Sequence, residues 1–352
     1  MVSPNPSPEA TLTQGRAETP IAFIQAIAAA YAQRDLRVDK ALGQAQIEPS
    51  LLKKNNARVT AMQMELMSGM AMQELDDEGL GWFSRRLPWG SYGMLVRASL
   101  TSPTLGLALA RWCRHHGLLT DDIRLNLTEC NGVATLQLDE VRDLGEFREF
   151  CVVSVLRNAL GVACWLTDSR IPLTATHLRF APPAHADSYR VLFDGPTHFN
   201  ASTYGLQFDA GYLALPVRRD EADLQRMLQR ALLLTVRPYR RDRLLVEKVR
   251  QTLAEHPHST RNADNLAALL HMSTRTLHRQ LKDEGASLQQ LKDSVRRERA
   301  MHLLLKTQKP IKQIAADVGF ANDKSFMRAV RTWTGFTAEE VRGGHAFSHH
   351  GE

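Results

Sequence analysis

Residues 272–342 read MSTRTLHRQLKDEGASLQQLKDSVRRERAMHLLLKTQKPIKQIAADVGFANDKSFMRAVRTWTGFTAEEVR, the larger part of a pattern that occurs twice. The first copy is NLAALLHMSTRTLHRQLKDEGAS from Asn265, the second QIAADVGFANDKSFMRAVRTWTGFT from Gln313. Leu266, Ala267, Leu270 and Met272 return 48 residues later as Ile314, Ala315, Val318 and Phe320. One extra residue then enters, so Leu277 and Leu281 match Phe326 and Val330 at a spacing of 49. Each copy closes on a glycine with a hydroxyl residue two positions on, Gly285–Ser287 and Gly335–Thr337. A short helix, a tight turn and a second helix compose a helix-turn-helix unit. Ala267 and Ala315 are small enough for the two helices to cross closely. His271 stands at the turn where the second copy has Gly319, and histidine tolerates the left-handed backbone such a turn needs.

The second helix of each copy is segregated by chemistry. Ser273 is a good N-cap, Leu277 and Leu281 face inward, and Arg275, His278, Arg279 and Lys282 share the opposite stripe. In the second copy Asn322 is the cap, Phe326, Val330 and Trp333 form the inner stripe, and Lys324, Arg328 and Arg331 point out. With Thr274 and Ser325 in the first turns, these are the candidate DNA-contacting residues. Arginine and lysine on such a stripe match guanine acceptors and phosphates in a major groove. One stripe alone would read as a solvated face; two on matched helices point to double-stranded DNA. Between the copies, Ser287 to Thr307 reads as one helix, and about nineteen residues at ~1.5 Å each span roughly 28 Å. Such a rod can hold two reading heads near the ~34 Å of a DNA turn. Ser287 with Gln290, and Thr337 with Glu340, have capping-box spacing.

The charge distribution agrees. Residues 237–352 hold 21 Lys+Arg against 13 Asp+Glu, and the rest of the chain 23 against 25, so all of the net +6 comes from the C-terminal third. A basic domain joined to a near-neutral one implies a polyanion partner for the basic part only.

Composition is that of a globular protein, with 43% hydrophobic and 23% charged residues, and 352 residues allow two or three domains. No uninterrupted apolar stretch reaches the ~18 residues of a membrane span, and MVSPNPSPEATLTQG lacks the apolar core of a secretory signal, so the expected location is the cytoplasm. Cys113, Cys130, Cys151 and Cys164 are too far apart for a structural zinc site and read as buried thiols. His115–His116 reads as a solvated pair and the tail GGHAFSHHGE as flexible, so no metal or cofactor is implied.

Residues 1–18 read as a disordered leader and 19–236 as an α+β domain. Helices are expected over Ile21–Gln33, Ala57–Leu75, Thr104–Gly117 and Glu146–Leu166. The Met-rich second of these reads as core filler. DIRLNLTE and GVATLQLDE alternate in period two across Asn131-Gly132, a hairpin signal, and TATHLRFAP is a further strand. Residues 191–217 read as loop and short strand. EADLQRMLQRALLLTV closes the domain, 237–241 is a linker, 242–344 the all-α DNA-binding domain with two helix-turn-helix units joined by a long helix, and 345–352 a tail.

The stretch from about Asp242 to Gly344 resembles the DNA-binding domain of the AraC/XylS family. The resemblance is carried by Ile314-Ala315, Val318-Gly319-Phe320, Ser325-Phe326, Arg328-Ala329, Trp333-Thr334-Gly335 and Arg342. Ala338 stands where the family usually has proline, and Val330 where phenylalanine is common. LPWGSYGMLVRASLTSPTLGLALARWCRHH and ALGVACWLTDSRIPLTATHLRF resemble the effector domain called arabinose-binding in such regulators, a label that does not by itself establish a sugar ligand. The resemblance implies a transcription regulator, an activator more often than a repressor, answering to a small-molecule effector, contacting RNA polymerase and able to form a homodimer. Polar and aromatic candidates for effector binding are Trp82, Arg86, Trp89, Tyr92, Arg97 and Trp112, each of which also fits a structural role. The competing reading is a DNA-binding tail fused to an enzyme or DNA-repair domain. That repair chemistry needs clustered cysteines, which this spacing lacks, and no P-loop, G-x-G-x-x-G, G-x-S-x-G or H-E-x-x-H occurs.

Overall fold

The computed structural model describes residues 16–228 and 242–343, apart from His258, Arg261 and Ala321. The chain divides into two compact units, Met1–Arg240 and Arg241–Glu352. The linker and tail expected at 237–241 and 345–352, and most of the expected leader, lie outside the described residues.

In the first unit, strand β1 (Ala17–Pro20) starts two residues inside the stretch expected as leader, because its backbone pairs antiparallel with β2 (Arg58–Thr60). Helix α1 (Ile21–Ala32) buries Ile21, Ile24, Ile27 and Tyr31, and α2 (Asp39–Gln44) adds Ala41 and Leu42. Helix α3 (Ala61–Glu74) begins four residues later than its apolar spacing indicated. Its start is set by a capping box, in which the Gln63 N–H donates to the Thr60 hydroxyl and the Thr60 N–H to the Gln63 side chain. Helices α4 (Ser91–Leu100) and α5 (Leu105–Leu119) follow. His116, expected in solvent, is wholly buried: four residues after Trp112, it falls on the inner face of α5. Burial pushes its imidazole down to about 4, and its Nε2 lies 3.2 Å from the Tyr92 hydroxyl.

Asn131 and Gly132 adopt positive φ (51° and 77°), which joins β3 (Ile123–Cys130) to β4 (Val133–Glu140) in the expected hairpin. Cys130 sits at the tip of this hairpin and is exposed, unlike the other three thiols. Helix α6 (Arg148–Thr167) buries fourteen of its twenty residues. With the turn before it (Gly145–Thr167) it is long and apolar enough to cross a membrane, yet 78% of that window is covered by the protein, as in a core helix. Strand β5 (Leu173–His177), helix α7 (Tyr189–Leu192), β6 (Thr197–His198), β7 (Tyr204–Asp209) and α8 (Glu221–Leu228) complete the unit. The sheet order is β3-β4-β7-β5-β6, antiparallel except for the β5–β6 pair. The stretch read as loop and short strand thus supplies the middle strand, with Tyr204, Leu206 and Phe208 buried.

The second unit is helical: α9 (Leu244–Glu255), α10 (Ala263–Leu269), α11 (Thr274–Asp283), α12 (Leu288–Lys306), α13 (Ile311–Asp317), α14 (Asp323–Thr334) and α15 (Ala338–Arg342). It has two cores. Leu266, Ala267, Leu277 and Leu281 pack with Val249 and Leu253 of α9, and Ile314, Ala315, Val318, Phe326 and Val330 with Val341 of α15. Helix α12 enters both, giving Leu288, Leu291 and Val295 to the first and Ala300 and Leu304 to the second. Its nineteen residues, about 28 Å by helical rise, therefore set the spacing of the two halves. At its start only the Ser287 side of the expected box forms, accepting the Gln290 N–H at 3.3 Å; Thr337 and Glu340 form both sides.

Candidate nucleic-acid interface and effector cavity

Each repeat turns in the same way. His271 and Gly319 take the left-handed backbone (φ 53° and 83°), and the following N–H groups of Met272 and Phe320 reach back to the carbonyls of Ala267 and Ala315, both at 2.9 Å. A Cβ on Gly319 would stand 3.1 Å from the Pro257 carbonyl oxygen, so glycine there also answers a close approach. The second helices are capped as read: the Thr276 N–H donates to Ser273 and the Ser325 N–H to the Asn322 side chain (3.1 and 2.8 Å).

Leu277, Leu281, Phe326 and Val330 are wholly buried, which turns the opposite stripe outward. Arg275, His278, Arg279 and Lys282 on α11, and Lys324, Arg328 and Arg331 on α14, are all exposed. The 49-residue spacing places Arg275, Arg279 and Lys282 opposite Lys324, Arg328 and Arg331 in the repeat, while His278 matches Met327. Among the described residues none of these six cations forms an ion pair, so their charge is available to phosphate or base edges. Of the smaller candidates, Thr274 donates to Asp264 on α10 at 2.5 Å, tying the two helices together, and the Ser325 hydroxyl donates to the Asn322 carbonyl. Arg342 donates to the Lys309 carbonyl at 2.6 Å and closes the second half.

The first unit holds a cavity of about 380 Å³, open to solvent on one side, between α3, α4, α6 and α8. The spacing of α3 puts Met64, Ser68 and Met72 on it, so the Met-rich helix, expected as core filler, also lines a void. Helix α6 contributes Phe150, Val153, Ser154, Arg157 and Asn158. Of the six candidates, Trp82, Trp89, Tyr92 and Arg97 line it. Trp112 is buried behind Tyr92, rings stacked 6.1 Å apart, and Arg86 is exposed outside the cavity. Arg97 lies at the rim with its guanidinium on Glu221 (2.7–3.1 Å), so it joins α4 to α8.

The loop carrying Trp82 and Trp89 is organised by two carboxylates that sequence reading missed. Asp77 accepts the N–H groups of Gly79, Gly81 and Leu87 at 3.0 Å each and pairs with Arg34 at 2.5 Å. Glu78 accepts the N–H groups of Gly90 and Tyr92, both at 2.7 Å, and caps α4. Burial pushes the Glu78 carboxyl up, and those two donors oppose the shift. Arg157 was also missed, although a cation inside FCVVSVLRNALGVACWL is a visible signal. Burial draws its guanidinium down to about 10. Among the described residues no group of three His, Cys, Asp or Glu is placed to hold a metal ion.

Comparison with known proteins bears on both halves. The family model for the arabinose-binding domain of AraC transcription regulator, N-terminal, matches residues 36–217, and a helix-turn-helix domain model matches 266–344. The chain is 28% identical over 327 residues to the ornithine utilization regulator of Pseudomonas aeruginosa, covering 92% of this chain and 96% of that one. It is 41% identical over 76 residues to the HTH-type transcriptional regulator VqsM of the same species, 22% of this chain and 23% of that one. The crystal structure of transcriptional regulator CdpR, also from Pseudomonas aeruginosa, aligns over 87% of this chain and 96% of its own, at 20% identity and a TM-score of 0.34. The first family model alone spans more than half of the sequence. The chain belongs to the AraC family of DNA-binding transcription regulators, with a ligand-binding type of domain ahead of its two helix-turn-helix units.

Proposed function

We propose that this chain is a cytoplasmic activator of transcription whose first unit binds a small metabolite without chemistry and thereby changes how the second unit occupies its operator. The observation that carries the reading is the pairing, in one chain, of a mostly apolar cavity with two exposed basic helices repeated in register. In it, Arg275, Arg279, Lys282, Lys324, Arg328 and Arg331 make the groove and phosphate contacts, with Ser273 and Asn322 fixing the helix ends. Trp82, Trp89 and Tyr92 belong to the effector wall, Trp112 supports them, and Arg97 holds the rim. Contact with RNA polymerase and formation of a homodimer are further parts of the proposal. The ornithine utilization regulator's name describes that relative; at 28% identity the effector of this chain is proposed from its own cavity.

A ligand acts at a distance only by binding one arrangement of the protein more tightly than another. Cognate DNA then tightens effector binding by the factor by which effector tightens DNA binding, typically ~1–3 kcal/mol, or about five- to 150-fold. The test is calorimetric titration of a co-purifying metabolite, identified by mass spectrometry, with and without operator. Equal affinities in both titrations would remove equilibrium coupling, and turnover of the compound would revive an enzymatic reading.

A further inference from the structure

We infer that Met327 on α14 reads the 5-methyl group of a thymine in the major groove, so that the two halves of the operator differ where α11 presents His278 instead. The inference rests on the reading of α11 and α14 as the groove-facing helices, and adds what one position of the second selects. Lys324, Met327, Arg328 and Arg331 follow one another at steps of three, one and three residues. Their side chains therefore share one face of α14, opposite the buried Phe326 and Val330. Arg275, His278, Arg279 and Lys282 make the same stripe on α11, 49 residues earlier at each position. Three of the four paired positions are cationic in both copies. At the fourth, an imidazole in the first copy stands against a thioether in the second.

Met327 is 39% exposed, although the core of Ile314, Val318 and Phe326 lies on the other side of the same helix. A lone apolar side chain on an ordinary surface needs no explanation. Among the described residues of this unit, the other large apolar side chains that are exposed, Leu269 and Leu305, lie on α10 and α12, off both basic stripes. Met327 alone is set among the cations that bring its helix to phosphates and base edges.

The major groove shows donors or acceptors at every base pair, but an apolar group only at the 5-methyl of thymine. A thioether pressed on an amino or carbonyl edge would strip it of water and return no hydrogen bond. Against the methyl it removes only apolar surface from water. The unbranched side chain, with three rotatable bonds, adapts to such a contact. His278 does the reverse, since a ring N–H donates to the O6 or N7 acceptor of a guanine. Lys324, Arg328 and Arg331 meanwhile supply affinity that the methyl does not change.

The test uses the full chain and a duplex that it selects from a randomised pool. Single thymines of that duplex are then replaced by deoxyuridine, which removes the methyl and nothing else. One such replacement is expected to weaken wild-type binding by about three- to fivefold. Met327→Ala and Met327→Gln should bind the thymine and uracil duplexes equally, and Met327→Leu, still apolar, should keep part of the ratio. Thermal melts show that each variant is folded. A wild-type protein indifferent to every replacement would overturn the inference, as would Met327→Gln or Met327→Ala with the wild-type ratio. Arg328→Ala separates this inference from the reading beneath it. If it binds the selected duplex like wild type, α14 is not in the groove and both fail. If it binds weakly while the Met327 variants keep the ratio, only the methyl contact is lost.

Discussion

The carboxylate of Glu284, just past the end of α11, accepts the backbone N–H of Val246 at 2.9 Å, in the opening turn of α9. The bond ties the helix that enters the second unit from residue 242 onward to the helix that carries Arg275 and Arg279. Burial pushes the Glu284 carboxyl up to about 7, with nearby Asp242 raising it further and the backbone donors and Arg243 opposing. The folded unit therefore holds this proton more tightly than the unfolded chain does. Its stabilising effect is complete below the ordinary carboxylate range and is lost as pH rises through about 7. Thermal stability of the second unit should fall between pH 5 and 8 by on the order of 2–3 kcal/mol, and Glu284→Gln should flatten that slope. Parallel melting profiles of the two proteins over this range would exclude Glu284 as the titrating group.

Arg279 and Arg328 hold matched positions on the two outward stripes, both exposed over a buried inner face. Alanine at either should cost ~1–3 kcal/mol at the cognate site and relax specificity at a few bases. Footprints of wild-type strength and pattern from both variants would show that these helices are not the reading heads.

Phe326 has no exposed surface and meets Phe320 edge-on at 5.5 Å, within the core formed with Ile314, Val318 and Val330. Phe326→Ala should destabilise the second half by ~3–5 kcal/mol and shift its melting temperature clearly downward. An unmoved melt would contradict that packing.

The basic excess and both repeats lie beyond Arg237. A fragment from about Arg240 to the end should retain DNA binding, and one of residues 1–236 should have none. DNA affinity in the N-terminal fragment instead would place the interface in the wrong unit.

Local spacing determined the second unit almost entirely. Leu266, Leu277 and Leu281, with their counterparts Ile314, Phe326 and Val330, recur at helical intervals. Ser273 and Asn322 cap the helices that follow, and both the buried and the cationic stripes follow from that register. Helices 7 to 19 residues long with nearby partners are readable because the interactions that place them are close in sequence. The Asn131-Gly132 hairpin was legible for the same reason, as was the deep burial of Cys151 and Cys164 in their apolar run.

Tertiary structure alone decided the rest. Strand β7 became the middle of the sheet through pairing with β4 and β5, partners 28 to 76 residues away that its own short pattern does not name. His116 is buried because α5 turns its face toward Tyr92, and Cys130 is exposed because it ends a hairpin. The cavity is the least local feature of all. Met64, Trp82, Tyr92 and Arg157 meet only when α3, α4, α6 and the loop pinned by Asp77 pack together, and each of those side chains read singly would serve equally well as core. A helix records its neighbours three and four residues away, whereas a cavity is defined by surfaces brought together from across the fold.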